Sequence, residues 1–327
     1  MKIGFFEIED WEKTILEKKL KSHKLFFSKE PLSDPEDYEI ISPFIYSIID
    51  KKVLSKASKL KYIATRSTGF DHIDLKEAKK RGVLVSNVPY YGDNTVAEHT
   101  FALLLALSRK LYPSIERTKK GDFSLEGLRG FDLEGKTIGI IGLGHIGICV
   151  ARIAKGFGMN IIAFDVKKDN RLAKELGLKH VSFNDLLKKS DVITLHAPYN
   201  KKTHHLINKD NIKLIKKGAY LINTARGGLV ETEALAQALD QKIIAGAGLD
   251  VLEEECFIKE ERELLSKEFP KTCDLKTVLR NHILINQDNV VMTPHSAFNS
   301  KEALGRILET TVENIDSFIN KKPINLV

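Results

Sequence analysis

Cysteine is scarce in this chain. Cys149, Cys256 and Cys273 are the only three in 327 residues, too few and too scattered for a disulfide framework or a paired-cysteine zinc site. A reducing, cytoplasmic setting is therefore the expectation. Long apolar runs are missing as well: nothing approaches the ~18 uninterrupted apolar residues of a membrane span. The opening MKIGFFEIEDWEK meets acids early and lacks the apolar core of a signal peptide. Also missing are a repeat of fixed period and a low-complexity linker. With 43% hydrophobic and 29% charged residues, there is no compositional room for a large disordered segment. The net charge is +7, but the lysines are spread in pairs such as Lys18-Lys19, Lys188-Lys189 and Lys216-Lys217 near acids. A basic excess without clustering reads as a solvated surface, so neither a nucleic-acid nor a membrane partner is expected.

The length exceeds what one hydrophobic core usually fills, so two domains are expected. Apolar strand-like runs alternate with helical patterns almost throughout, which argues for α/β architecture with parallel sheets and helices on both faces. Early strands are read at KIGFFEI, LKYIAT and GVLVSNV. A buried helix follows in DNTVAEHTFALLLALSRKL, where Thr95 and Glu98 have the spacing of a capping box and FALLLALS is apolar on every face. It is either a core helix between domains or one that also packs on a second subunit; a homodimer is the expected assembly. A second α/β unit starts near GKTIGIIG and adds strands at NIIAFD, DVITLHAP, GAYLINTA, KIIAGAGLD and NVVMTPH. The last helix carries Leu304, Ile307, Leu308, Val312, Ile315 and Ile319 at helical spacing and is placed to return the chain to the first domain. The expected division is 1–100 with 297–327 for one domain and 101–296 for the other.

The stretch GIIGLGHIGICVARIAKGFGMNIIAFD sets Gly142, Gly144 and Gly147 between a strand and a helix, and a second strand ends at Asp165, 18 residues past Gly147. A lone GxGxxG is weak; this strand-loop-helix-strand-acid context makes it strong. The glycines serve a tight turn, close backbone approach to a pyrophosphate and close helix-strand packing, and the helix N-terminus offers N–H groups to phosphate. Asp165 is suited to ribose hydroxyls and repels a 2′-phosphate, which favours NAD over NADP, although Lys167 and Lys168 soften that repulsion.

Several polar residues fall just after strands of the second unit, where open α/β sheets bind ligands: Arg226, Asp250, Glu255 and His295. Singly each has an ordinary surface or loop reading. Together they suit hydride exchange with a carbon bearing oxygen, which also needs a proton donor to that oxygen. Histidine titrates near neutrality, a carboxylate partner favours its charged form, and arginine grips a carboxylate with two parallel hydrogen bonds.

The motifs RSTGFDHIDL, NVPYYGDNTVAEHT, GIIGLGHIG, LHAPYNKKTHHLIN, INTARGG, GAGLDVLEEE and TPHSAF occur in the order seen in the NAD-dependent D-isomer-specific 2-hydroxyacid dehydrogenases. The chain resembles that family, and most closely its lactate branch, over essentially its whole length. The resemblance implies two doubly wound parallel-sheet domains, a flavodoxin-like substrate domain and a Rossmann NAD-binding domain, with a small 2-keto or 2-hydroxy acid as substrate. It implies Arg226 as substrate-binding arginine, His295 as acid/base and Glu255 as its partner, the last of three adjacent acids being selected by the spacing from Asp250. It implies Asp250 beside the nicotinamide, backbone contacts from His145 and Ile146 to the pyrophosphate, and a cofactor groove lined by Ala197, Pro198, Thr203, Thr224 and Ala225. In the first domain it implies Thr68 and Gly69 as backbone donors to the substrate carboxylate and Tyr91 closing the site, with Phe298 as a wall.

Two stretches depart from the pattern. Gly92-Asp93 stands where the lactate enzymes often have Ser-Pro, and the segment from Cys256 to Asn289 is long and charged; surface decoration is the expectation for it. His99 is read as a bonded core residue. His204 and His205, adjacent in sequence, are expected to point apart, and no metal site is expected.

Overall fold

The computed structural model of the protein describes residues 1–253 and 275–327. The chain divides into two compact units, Met1–Tyr91 with Asn299–Val327, and Gly92–Phe298.

In the first unit β1 (Lys2–Phe6), β2 (Lys24–Ser28), β3 (Ile40–Ser42), β4 (Tyr62–Ala64) and β5 (Leu84–Ser86) run parallel in the order β2-β1-β3-β4-β5. This is the flavodoxin-like order. Successive strand residues face opposite sides of a sheet, and the core splits accordingly. Ile3, Phe5, Ile40, Tyr62 and Ala64 pack with Leu16 of α1 (Asp10–Lys19) and with Leu308, Val312 and Ile315 of the last helix, α11 (Lys301–Ile319). Phe6, Ile41, Ile63 and Val85 pack on the other side with Leu54 of α2 (Lys51–Lys56) and Ala78 of α3 (Leu75–Lys80). The last helix thus does return to the first unit: the rings of Tyr62 and Phe318 stack with centroids 4.3 Å apart. Its tail then covers the free edge of β5, Val327 N donating to Val85 O and Asn87 N to Asn325 O, which blunts that edge against other chains.

The second unit holds β6 (Thr137–Ile141), β7 (Asn160–Phe164), β8 (Lys179–His180), β9 (Val192–Leu195), β10 (Ala219–Asn223), β11 (Ile244–Leu249) and β12 (Val290–Met292), all parallel, in the order β12-β11-β10-β9-β6-β7-β8. Read from β8 this is the Rossmann order with a seventh strand, and the winding reverses between β6 and β9. One face packs against α4 (Asp93–Ser108) and α6 (His145–Gly156), through Leu103, Leu104, Val150 and Ala151. The other packs against α8 (Phe183–Lys189) and α9 (Thr232–Asp240), through Leu186, Leu187, Leu235 and Leu239. Among the described residues the remaining α-helices are α5 (Leu111–Lys119), α7 (Asn170–Leu176) and α10 (Leu275–Ile285). The fold is therefore α/β with two doubly wound parallel sheets.

Four local expectations change. The capping box at Thr95 and Glu98 is absent, because the N-cap of α4 is Gly92, ahead of Thr95, and both residues lie inside the helix; a true box forms at Glu9 and Glu12. Nor is α4 buried on every face, since Ala102 is exposed. The part of the Cys256–Asn289 segment from α10 onward is no decoration: Val278 and Leu284 are fully buried, and Asn281 Nδ2 donates to Glu253 O. His204 and His205 do not point apart: they sit in a turn rather than a helix, with rings stacked at 3.8 Å. His205 takes a left-handed backbone and bonds to Glu253.

Candidate active site

Each sequence-selected residue of the second unit follows the carboxyl end of a strand: Gly142 after β6, Asp165 after β7, Ala197 after β9, Arg226 after β10, Asp250 after β11 and His295 after β12. Parallel strands put all of these ends on one edge of the sheet, and the reversal between β6 and β9 opens the crevice where such sheets take ligands.

The glycine loop is built as its spacing predicts. Gly142 has φ +97°, and a Cβ there would lie 2.7 Å from the His196 backbone. A Cβ on Gly147 would lie 2.0 Å from Gly142 O, so only glycine lets α6 pack this close to the loop. Gly144 caps α6 and faces open space. The first N–H groups of a helix lack intrahelical acceptors, so the start of α6 at His145 and Ile146 presents donors of the kind that suit an anion. Asp165 braces the loop: Leu143 N donates to its Oδ2 at 2.7 Å and Lys167 N to its Oδ1 at 2.8 Å. Asp93, the departure noted in the sequence, faces this loop, 3.5 Å from His145 Nδ1.

Beyond the crevice, Thr203 Oγ1 donates to Pro198 O at 2.7 Å, closing the turn after β9. Thr224 is buried against Thr100, hydroxyl to hydroxyl at 3.0 Å. Asn223 shapes the next turn, accepting from Ala225 N at 3.0 Å and donating to Arg226 O at 3.0 Å. The Arg226 guanidinium donates to Ala225 O at 2.7 Å. A Cβ on Gly227 would fall 1.9 Å from the Leu252 carbonyl, so the arginine turn sits hard against the segment after β11.

Asp250 is fully buried. Its Oδ1 accepts from Thr293 Oγ1 at 2.5 Å and Ser296 N at 2.9 Å, its Oδ2 accepts from Ala297 N at 2.9 Å, and its backbone oxygen accepts from His295 N at 2.9 Å. Burial pushes its pKa up, but the bonds from His99, Thr293, Ala297 and Ser296 outweigh this and hold the carboxyl below its usual range. Asp250 thus anchors the turn that carries His295, whose φ is +51°. A non-glycine residue in that region is held by its surroundings, and such residues concentrate at functional sites. His196, also on this edge of the sheet, is pushed down to about 3 by burial, so it is neutral near pH 7 and supplies no proton there.

Glu255 lies outside the described residues. Thr68, Gly69 and Tyr91 belong to the first unit, and Phe298 ends the second. Thr68 and Gly69 follow β4, and Phe44 and Tyr46 follow β3 on the same sheet edge. Arg66, just ahead of Thr68, is 1% exposed and gathers three adjacent strand ends by donating to Phe6 O, Glu7 O and Ser42 O at 2.7, 2.8 and 2.7 Å. Among the described residues, no His, Cys, Asp and Glu cluster suited to a metal occurs, and no helix is long and apolar enough to cross a membrane.

Comparison with known proteins agrees with this geometry. Residues 101–297 match the model of the D-isomer specific 2-hydroxyacid dehydrogenase, NAD binding domain. A 2-hydroxyacid dehydrogenase homolog of Haemophilus influenzae is 40% identical over 282 residues, covering 86% of this chain and 82% of the relative. A glyoxylate reductase of Pyrococcus furiosus is 36% identical over 320 residues, covering 96% and 86%. The crystal structure of a D-lactate dehydrogenase from Aquifex aeolicus, complexed with NAD and lactic acid, superposes with a TM-score of 0.89 at 39% identity over 99% of this chain and 98% of that one. The cofactor is NAD. With its cofactor domain matched and its relatives aligned over most of their length, the chain belongs to the D-isomer-specific 2-hydroxyacid dehydrogenases.

Proposed function

We propose that the protein interconverts a small 2-keto acid, pyruvate first, and its D-2-hydroxy acid. The observation that carries this reading is the placement of Arg226 and of a strained, Asp250-anchored His295 after β10 and β12, the strands on either side of β11, on one edge of the dinucleotide-binding sheet. NADH supplies the hydride when bound. Arg226 grips the substrate carboxylate and polarises the ketone. His295 gives its proton to the forming alkoxide, and Glu255 favours the charged imidazole. Thr68 and Gly69 offer backbone N–H groups to the carboxylate, and Tyr91 and Phe298 wall the side-chain pocket. Asp165 favours NAD over NADP by repelling a 2′-phosphate.

Pyruvate is placed first because the Aquifex aeolicus structure, alike over nearly the whole chain, carries lactic acid. Glyoxylate is the second reading, supported by the Pyrococcus furiosus relative. Loss of NADH absorbance with pyruvate, glyoxylate and a branched 2-keto acid, compared by kcat/KM, decides between them, and the product enantiomer is then identified. Highest kcat/KM on pyruvate with D-lactate formed is the expected result; preference for glyoxylate moves the assignment to the second reading. A cytoplasmic homodimer is proposed as the working form, the compartment on the scarcity of cysteine and the dimer on an exposed apolar face taken up in the Discussion.

A further inference from the structure

The turn after β4, Thr65–Phe70, is held by side chains to an extent its sequence does not announce. Asn87 Nδ2 donates to Thr68 O at 2.7 Å. Ser67 Oγ donates to Gly69 O at 2.6 Å and lies 2.9 Å from Thr65 Oγ1, which lies 3.2 Å from His72 Nε2. Donor accounting fixes the direction of this chain. The single hydroxyl hydrogen of Ser67 is spent on Gly69 O, so Thr65 must donate to Ser67. Thr65 then has only lone pairs left for His72, whose Nε2 must carry its proton. The relay runs His72 to Thr65 to Ser67 to Gly69 O. Thr65 and Ser67 are buried, where each missing partner is costly.

The peptide group is planar and trans, so fixing a carbonyl fixes the N–H on the opposite side. Asn87, by holding Thr68 O, aims the Gly69 N–H; Ser67, by holding Gly69 O, aims the Phe70 N–H. Among the described residues neither N–H has an acceptor within the protein. We infer that Asn87 and the His72–Thr65–Ser67 relay are positioning residues that pre-aim two consecutive backbone N–H groups at the substrate carboxylate. This rests on the reading of Thr68 and Gly69 given above, and it extends the donor pair to Phe70. The relay touches neither substrate nor cofactor; it acts through the turn.

The test uses the full-length protein with Ser67→Ala, which ends the relay, and Asn87→Asp, an isosteric change that removes the donor to Thr68 O. Measured are kcat and KM for the best keto acid of the panel, the Kd of oxamate for the NADH-loaded protein, the Kd of NADH, and Tm. Expected for each variant is a KM and an oxamate Kd raised about tenfold, with kcat changed less than threefold and NADH affinity unchanged. The neutral amide of the same keto acid should lose far less than the acid, a contrast that a merely structural role would not produce. Oxamate binding within twofold of wild type in both variants overturns the inference while leaving the functional reading intact. A wild-type protein that reduces no 2-keto acid overturns the functional reading and the inference with it. If one variant fails to fold, the other and Thr65→Val, which breaks the relay one step earlier, decide the matter.

Discussion

In the proposed reaction Arg226 and His295, which follow the strands on either side of β11, divide the chemistry. His295→Ala should lower kcat about 10²- to 10⁴-fold, the usual worth of a positioned proton donor, with the NADH Kd nearly unchanged. Arg226→Lys keeps the charge but loses the fork that matches a carboxylate, so KM should rise about tenfold or more while kcat falls less. Steady-state kinetics beside NADH titrations check both, and wild-type activity in either variant removes that residue from the mechanism. Asp250 acts on stability as well as on the turn. Its folded pKa lies below the usual aspartate range, so its stabilising contribution is fully present above the unfolded pKa and is lost as pH falls through the folded value. The Tm gap between wild type and Asp250→Asn should therefore be largest near neutrality and shrink below about pH 4. A gap that widens on acidification would contradict the assignment.

At the scale of the element, the glycine loop separates folding from binding within one motif. Gly147→Ala forces a Cβ to 2.0 Å from Gly142 O, a backbone atom that has no room to yield. It should cost about 3 kcal/mol or more by the overpacking and strain mechanisms, seen as a large drop in Tm. Gly144→Ala meets nothing within 4 Å. It should leave Tm nearly unchanged and weaken NADH, because the methyl occupies the approach to the helix N-terminus. The same loop shows what sequence made legible. Glycine spacing, strand ends and the acid at 165 carry their meaning locally, so the dinucleotide unit and the residues of its sheet edge could be named in advance. The strand β2, an edge strand reading KLFFS with three adjacent apolar residues between two polar ones, and the three-residue β3 left no period to count. The roles of Asn223, Asn87 and Ser67 are not legible in the sequence because each donates to a backbone carbonyl oxygen, and carbonyls leave no trace there. The stacked His204–His205 pair was misjudged for a related reason: a left-handed His205 depends on Glu253, 48 residues away.

For the whole molecule the open matter is what meets α5. None of its residues is buried, yet Leu111, Tyr112 and Ile115 are exposed on it, and Phe123 and Leu125 follow at 77% and 83% exposure. Five large apolar side chains stand exposed within fifteen residues, and exposed apolar patches of this kind mark protein contacts. The charges around them are mixed, Glu116, Arg117, Lys119 and Asp122, which favours a self-complementary contact between two copies over a partner of one charge. Closed two-fold pairs are also the commonest assembly of soluble oligomers. The wild-type protein should therefore weigh as a dimer by light scattering, and Ile115→Asp combined with Leu125→Asp should halve that mass. Circular dichroism of the double variant should stay that of the wild type, because neither side chain is part of the core and surface changes of this kind rarely move stability much. A wild type that already weighs as a monomer would leave the patch to some other partner and remove the dimer from the proposal. Retained mass in the variant would move the contact elsewhere on the second unit.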